Sequence, residues 1–190
     1  MLDNKQPGYS FTLKIPQGQV LMKFILQFLN SRIYWLVLLI GAVTAEAVAL
    51  YYQYALDYGP CVLCIHIRLW LFALILLAIA ALLLPRCQKV QTGGRCLALL
   101  IALGFTERSW RTLAIERYWI ESSCSLESGL PTWFAPDKWW PWMFEIWESC
   151  GYTPEMVAGF TMAELLLASG VFFIIFSATA FAASVVRKTP

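Results

Sequence analysis

The chain has 190 residues, of which 59% are apolar and only 14% charged, with a net charge of +2 and a mean hydropathy of +0.63. Soluble domains run at about 45–50% apolar and about 25% charged, so this composition excludes a disordered tail and points to a membrane protein. The small net charge leaves no electrostatic footprint for nucleic acid. Six cysteines are many for a membrane chain unless some are chemical or act as staples.

Residues 1–30 form an N-terminal extension. It has no apolar core of the signal-peptide kind and is punctuated by Pro7, Gly8, Pro16 and Gly18. Leu21 to Leu29 reads either as an amphipathic helix on the membrane surface or as a lengthening of the first span. Residues 31–190 then read as one domain with four spans of about 20 apolar residues each. The first, 33–56, is interrupted by Glu46 and Gln53, and the second, 62–84, by His66 and Arg68. Residues 91–95 (QTGGR) read as a tight turn before a third span over 96–116, which meets Glu107, Arg108 and Arg111. The fourth covers 156–186. The expected fold is therefore an all-α membrane protein, a four-transmembrane-helix bundle.

Basic residues set its orientation. Nine of the 14 Lys and Arg fall before the first span, between the second and third, or after the fourth. The long loop over 117–155 holds only Arg117 and Lys138 against Glu121, Glu127, Asp137, Glu145, Glu148 and Glu155. Both termini are thus expected in the cytoplasm and the loop outside. Its stretch WFAPDKWWPWMFEIW, Trp133 to Trp147, suits the headgroup level and predicts a short membrane-lying helix after Pro136.

On this topology Cys87 and Cys96 are cytoplasmic, where thiols stay reduced. Cys61, Cys64, Cys124 and Cys150 lie on the oxidising side. Four cysteines allow three pairings; by position they fall into a C-x-x-C pair, Cys61 and Cys64, and a loop pair. Closing the loop between Cys124 and Cys150, about 26 residues, stabilises by roughly 3–4 kcal/mol in the entropic account, so a plain staple is one reading of that pair. The C-x-x-C pair opens a helix behind Pro60, a setting that favours a thiolate. Arg68 lies one turn deeper on the face of Cys64, and a charge at that depth marks a functional site. It is placed to stabilise the Cys64 thiolate and to hydrogen-bond a carbonyl oxygen of something bound in the membrane. His66 points to another face and no zinc ligand set accompanies it, so no metal is expected. Glu46 is either a buried hydrogen-bonding group or part of a proton route. Two other classes remain open: a four-span scaffold with structural disulfides, and a metal or solute transporter using Cys61, Cys64 and Glu46.

Glu46, Gln53, the run P-C-V-L-C-I-x-x-R from Pro60 to Arg68, the loop cysteines Cys124 and Cys150, and D-K-W-x-P from Asp137 to Pro141 together resemble the DsbB family of bacterial inner-membrane proteins, over roughly Met22 to Val186. The resemblance implies a quinone-dependent thiol oxidase that reoxidises a periplasmic DsbA-like partner, with ubiquinone or menaquinone as the cofactor. It implies that the partner attacks Cys124, that the released Cys150 attacks Cys61, and that Cys64 faces the quinone while Arg68 holds a quinone oxygen. The histidine common near the outer end of the third helix is absent from Arg111–Glu121, so either Arg108, Arg111 or Glu116 serves in its place or the quinone site differs; Arg111 is assigned to the quinone. That departure, Ile65–His66–Ile67 after the C-x-x-C pair and the N-terminal extension fit a DsbI-like paralogue with a dedicated partner.

Overall fold

The computed structural model describes residues 31–84, 87–121, 129–157 and 159–186. The extension over 1–30, where either a surface helix or a lengthened first span is expected, lies outside them, as does Cys124. Four long helices make up most of the chain: α1 (Arg32–Ala55), α2 (Val62–Leu83), α3 (Gln88–Glu116) and α6 (Met162–Val186). Between α3 and α6 come two single turns, α4 (Pro136–Trp139) and α5 (Pro141–Phe144), and an antiparallel hairpin, β1 (Glu155–Val157) with β2 (Phe160–Thr161). The helix α3 packs along α6 and α2, and α1 packs on α2. Among the described residues three helices, α1, α2 and α6, are long and apolar enough to cross a membrane.

Their packing follows the logic of a lipid solvent. Large apolar side chains such as Leu36, Ile40, Phe172 and Ile175 face outward, while Glu46, Gln53, Arg68 and Arg95 are buried. Tyr34, Trp35, Leu71, Leu74, Ile101 and Phe105 form the centre of the core, with Ala78, Ala98 and Ala180 fully enclosed. Small residues let the backbones approach closely. A Cβ on Gly104 would meet the Trp70 ring at 2.4 Å. Gly104→Ala is therefore expected to destabilise the fold by about 1–3 kcal/mol through overpacking, read as a lowered melting midpoint in detergent; an unchanged midpoint would contradict the packing described.

Three sequence expectations are corrected. The third helix begins at Gln88, so 91–95 is helical and not a turn. Gln91 accepts a hydrogen bond from Trp35 Nε1 at 2.7 Å and donates to the Ala81 carbonyl at 3.3 Å. The absence of a side chain at Gly94 lets the Trp35 ring lie against it, 3.2 Å from where a Cβ would stand. These tertiary contacts outweigh the helix-weakening of paired glycines. The last helix begins at Met162 and not at 156, because Thr161 and Glu164 form a capping box. Thr161 N–H donates to Glu164 Oε2 at 3.2 Å and Glu164 N–H donates to Thr161 Oγ1 at 3.4 Å, which fixes the helix start. Gly159, at φ +82, turns the chain of the hairpin before it. Finally, the helix after Pro136 is two separate turns, since Pro141 holds Trp140 in a non-helical conformation at φ −133, ψ 67.

Candidate functional site

The site is built at the start of α2. Pro60 leads into Cys61, the N-cap, whose sulfur accepts from the Cys64 backbone N–H at 3.4 Å. The two sulfurs are 2.8 Å apart and hydrogen-bonded, and both are free thiols. The Cys64 sulfur beside it and its own burial push the Cys61 thiol above the usual range.

One turn further in, the Arg68 guanidinium is buried and ties three elements together. Nη1 donates to Gln53 Oε1 at 2.7 Å and to the Met143 carbonyl at 2.8 Å, and Nη2 donates to the Ala49 carbonyl at 3.1 Å. A guanidinium has five N–H donors, so two point elsewhere. Glu46, one turn before Ala49 on α1, is buried, and its carboxyl oxygens have no hydrogen-bond partner among the described residues; Arg68 is the opposite charge it feels.

Cys64 and Arg68 share the wall of a cavity of about 230 Å³. Ala45, Val48 and Ala49 of α1, Ile67 and Leu71 of α2, and Leu165 and Leu166 of α6 make it apolar, and Tyr52, Tyr58 and Tyr152 stand at it. A volume of this size, below the usual drug-sized pocket, suits one substituted ring. An apolar slot with a thiol on its wall and unspent guanidinium N–H groups fits a lipid-soluble ring carrying carbonyl oxygens.

The outer segment crosses the same helix start. Tyr54 donates its hydroxyl to the Trp142 carbonyl, Arg68 holds the Met143 carbonyl, and Trp147 N–H donates to the Pro60 carbonyl at 3.1 Å. Phe144 is buried, edge-on to Phe72. Cys150 follows this strap, is disulfide-bonded, and borders an open groove of about 820 Å³ with Tyr118, Glu121, Glu148 and Tyr152. Beyond Cys150 the chain is fastened again: Thr153 Oγ1 donates to Glu116 Oε2 at 2.7 Å, and Arg117 pairs with Glu164.

Of the residues singled out from sequence, Cys61, Cys64 and Arg68 come together. Arg111 does not join them: it is exposed, ion-paired to Glu107 on its own helix, and does not line the cavity. Glu116 serves the hairpin instead. Sequence reasoning missed the Met143 carbonyl, which carries no side-chain signal, and the tyrosines at the cavity, of which the run YYQYALDY (Tyr51 to Tyr58) advertises Tyr52 and Tyr58 but not Tyr152.

Comparison with known proteins gives the family. Residues 31–183 match the family model described as Disulfide bond formation protein DsbB. The chain is similar to Disulfide bond formation protein B of Photobacterium profundum, 31% identical over 152 residues covering 77% of this chain and 84% of that one. It is 34% identical to Disulfide bond formation protein B 2 of Pseudomonas aeruginosa over 154 residues, 80% of this chain and 90% of the relative. With a matching family model over most of its length and a C-x-x-C pair at the head of an apolar helix, the chain belongs to the DsbB family of membrane disulfide bond formation proteins.

Proposed function

We propose that this protein is a quinone-dependent thiol oxidase of the bacterial inner membrane that reoxidises a periplasmic DsbA-like dithiol protein. In this reading residues 31–190 are one domain, α3 crosses as the fourth span, both termini are cytoplasmic and the loop over 117–155 faces the periplasm. The distribution of Lys and Arg supports that orientation. The observation that carries the reading is the placement of Cys64 and Arg68 side by side on an apolar cavity at the head of α2.

The chain's own residues do the following. A thiolate of the reduced partner attacks Cys124 of a Cys124–Cys150 disulfide, and Cys150 leaves as a thiolate. Cys150 attacks Cys61 of an oxidised Cys61–Cys64 pair, and Cys64 leaves in turn. Its negative charge falls in the first turn of α2, where the helix dipole is positive, with Arg68 one turn on. The partner's second thiol displaces Cys124, which then frees Cys61 by attacking Cys150, so the loop disulfide is restored and the partner is oxidised. The dithiol now resides at Cys61 and Cys64. A bound quinone supplies a lipid-soluble acceptor for two electrons and two protons. Arg68 would hold a carbonyl oxygen of it with the N–H groups left over from Gln53, Ala49 and Met143, and the apolar walls from α1 and α6 would exclude water. Ubiquinone and menaquinone both present the carbonyl this geometry asks for.

The test mixes the purified protein with a reduced DsbA-like protein and a soluble analogue of either quinone, following quinone absorbance. Quinone is expected to disappear in step with partner oxidation. No loss of quinone, with the partner left reduced, would overturn the reading in favour of a scaffold with structural disulfides.

A further inference from the structure

Gly59, just before the Pro60–Cys61 cap, has no room for a side chain. A Cβ placed on it would lie 2.7 Å from the Trp147 Cβ and 3.0 Å from the Glu148 Cγ. The first of these neighbours is fixed by the backbone and has no torsion by which to swing away. The demand is for space and not for torsional freedom: the described glycines with positive φ are Gly129, Gly151 and Gly159. The stretch that fills this notch is the strap, fastened alongside by Trp147 N–H on the Pro60 carbonyl at 3.1 Å, by Arg68 on the Met143 carbonyl, and by the Tyr54 ring edge-on to Trp147. Trp147 precedes Cys150 by three residues, and Pro60 precedes Cys61 by one. Contact at Gly59 thus brings the backbones bearing the two cysteines against each other.

We propose that Gly59 is a positioning residue, a side-chain-free seat that lays the Trp147–Glu148 backbone against the C-x-x-C cap and so places Cys150 for exchange with Cys61. The inference rests on the exchange reading above. The step it serves is complete in itself: a Cys150–Cys61 bond forms, the Cys61–Cys64 bond breaks, and the electron pair leaves on Cys64 as a thiolate. Displacement at sulfur needs in-line approach, and a misplacement of about 1 Å is enough to lower such a rate by up to about a hundredfold.

The experiment uses the full chain in detergent with Cys64, Cys87, Cys96 and Cys124 changed to alanine, leaving Cys61 and Cys150. The rate of their disulfide formation under copper–phenanthroline is read on non-reducing gels. Gly59→Ala is expected to slow it about tenfold or more, and adding Trp147→Gly, which removes the atom the new methyl strikes, is expected to restore most of the rate. An unchanged rate with Gly59→Ala overturns the proposal. So does a slowed rate that Trp147→Gly fails to restore, since that assigns the effect to general damage. Because this readout needs neither quinone nor partner, it stands or falls apart from the turnover assay on the unsubstituted protein.

Discussion

Cys64→Ser is expected to lower quinone consumption by about a thousandfold or more while leaving the fold intact. Catalytic residues that act as one unit lose nearly the whole rate when one is removed, and a hydroxyl neither forms the disulfide with Cys61 nor leaves as a stable anion. The stability effect is small for a specific reason. The cap at the head of α2 is made by the Cys61 sulfur accepting the Cys64 backbone N–H, and the substitution keeps both. With no Cys61–Cys64 disulfide for Cys150 to attack, the reduced partner should take one disulfide from the loop and stop there, leaving Cys124 and Cys150 reduced, whereas the native protein reoxidises them. Non-reducing electrophoresis and peptide mapping after exposure to the reduced partner check this. Wild-type quinone consumption by Cys64→Ser would remove this cysteine from the reaction.

The second large effect is at Arg68, where one substitution disturbs stability and ligand binding together. Arg68→Met leaves Gln53 Oε1 and the Met143 carbonyl without the donor that serves both, and withdraws a third contact from Ala49. An abandoned buried acceptor costs about 1–3 kcal/mol, so the loss in stability is on the order of 3 kcal/mol. Arg68→Lys keeps the charge but not the fork. One ammonium cannot span acceptors on α1 and on the strap with the planar geometry of a guanidinium. The lysine variant should recover part of the stability and still show a KM for quinone raised about tenfold or more. Thermal melting in detergent and quinone titration at saturating partner separate the two effects. A methionine variant with a native melting midpoint would mean that the guanidinium does not hold the strap.

What was legible in the sequence follows from how each feature is encoded. The spans α1 and α2 are written in long apolar runs, and the head of α2 in Pro60, Cys61 and Cys64. Arg68 stood out because a charge inside such a run demands a reason. The start of α6 was also written, as the T-x-x-E pattern from Thr161 to Glu164, but the apolar residues before it masked the signal. The start of α3 was not, because Gly93 and Gly94 favour a turn locally and only Trp35, 59 positions from Gly94 in the chain, makes the helix pack there. The clamp on the strap was invisible for a different reason. Its acceptors are the carbonyls of Trp142, Met143 and Pro60, groups that every residue possesses. Arg111 is the opposite case: its position in the sequence suggested the cavity, while the structure pairs it with Glu107, four residues earlier, on the outside of α3.

The two fastenings on either side of Cys150 make it a sulfur on a short leash. On one side the backbone is pinned at Trp147 to Pro60, and on the other at Thr153 to Glu116. Between them Gly151 sits at φ +129, a backbone conformation that L side chains rarely adopt. Three residues of fully extended chain span at most about 11 Å, so Cys150 patrols a small sphere around the head of α2 while both anchors hold. On the proposed function, a soluble dithiol protein would therefore bring its own cysteine to the mouth of the bundle, and exchange between Cys150 and the pair at the head of α2 would need only a local pivot.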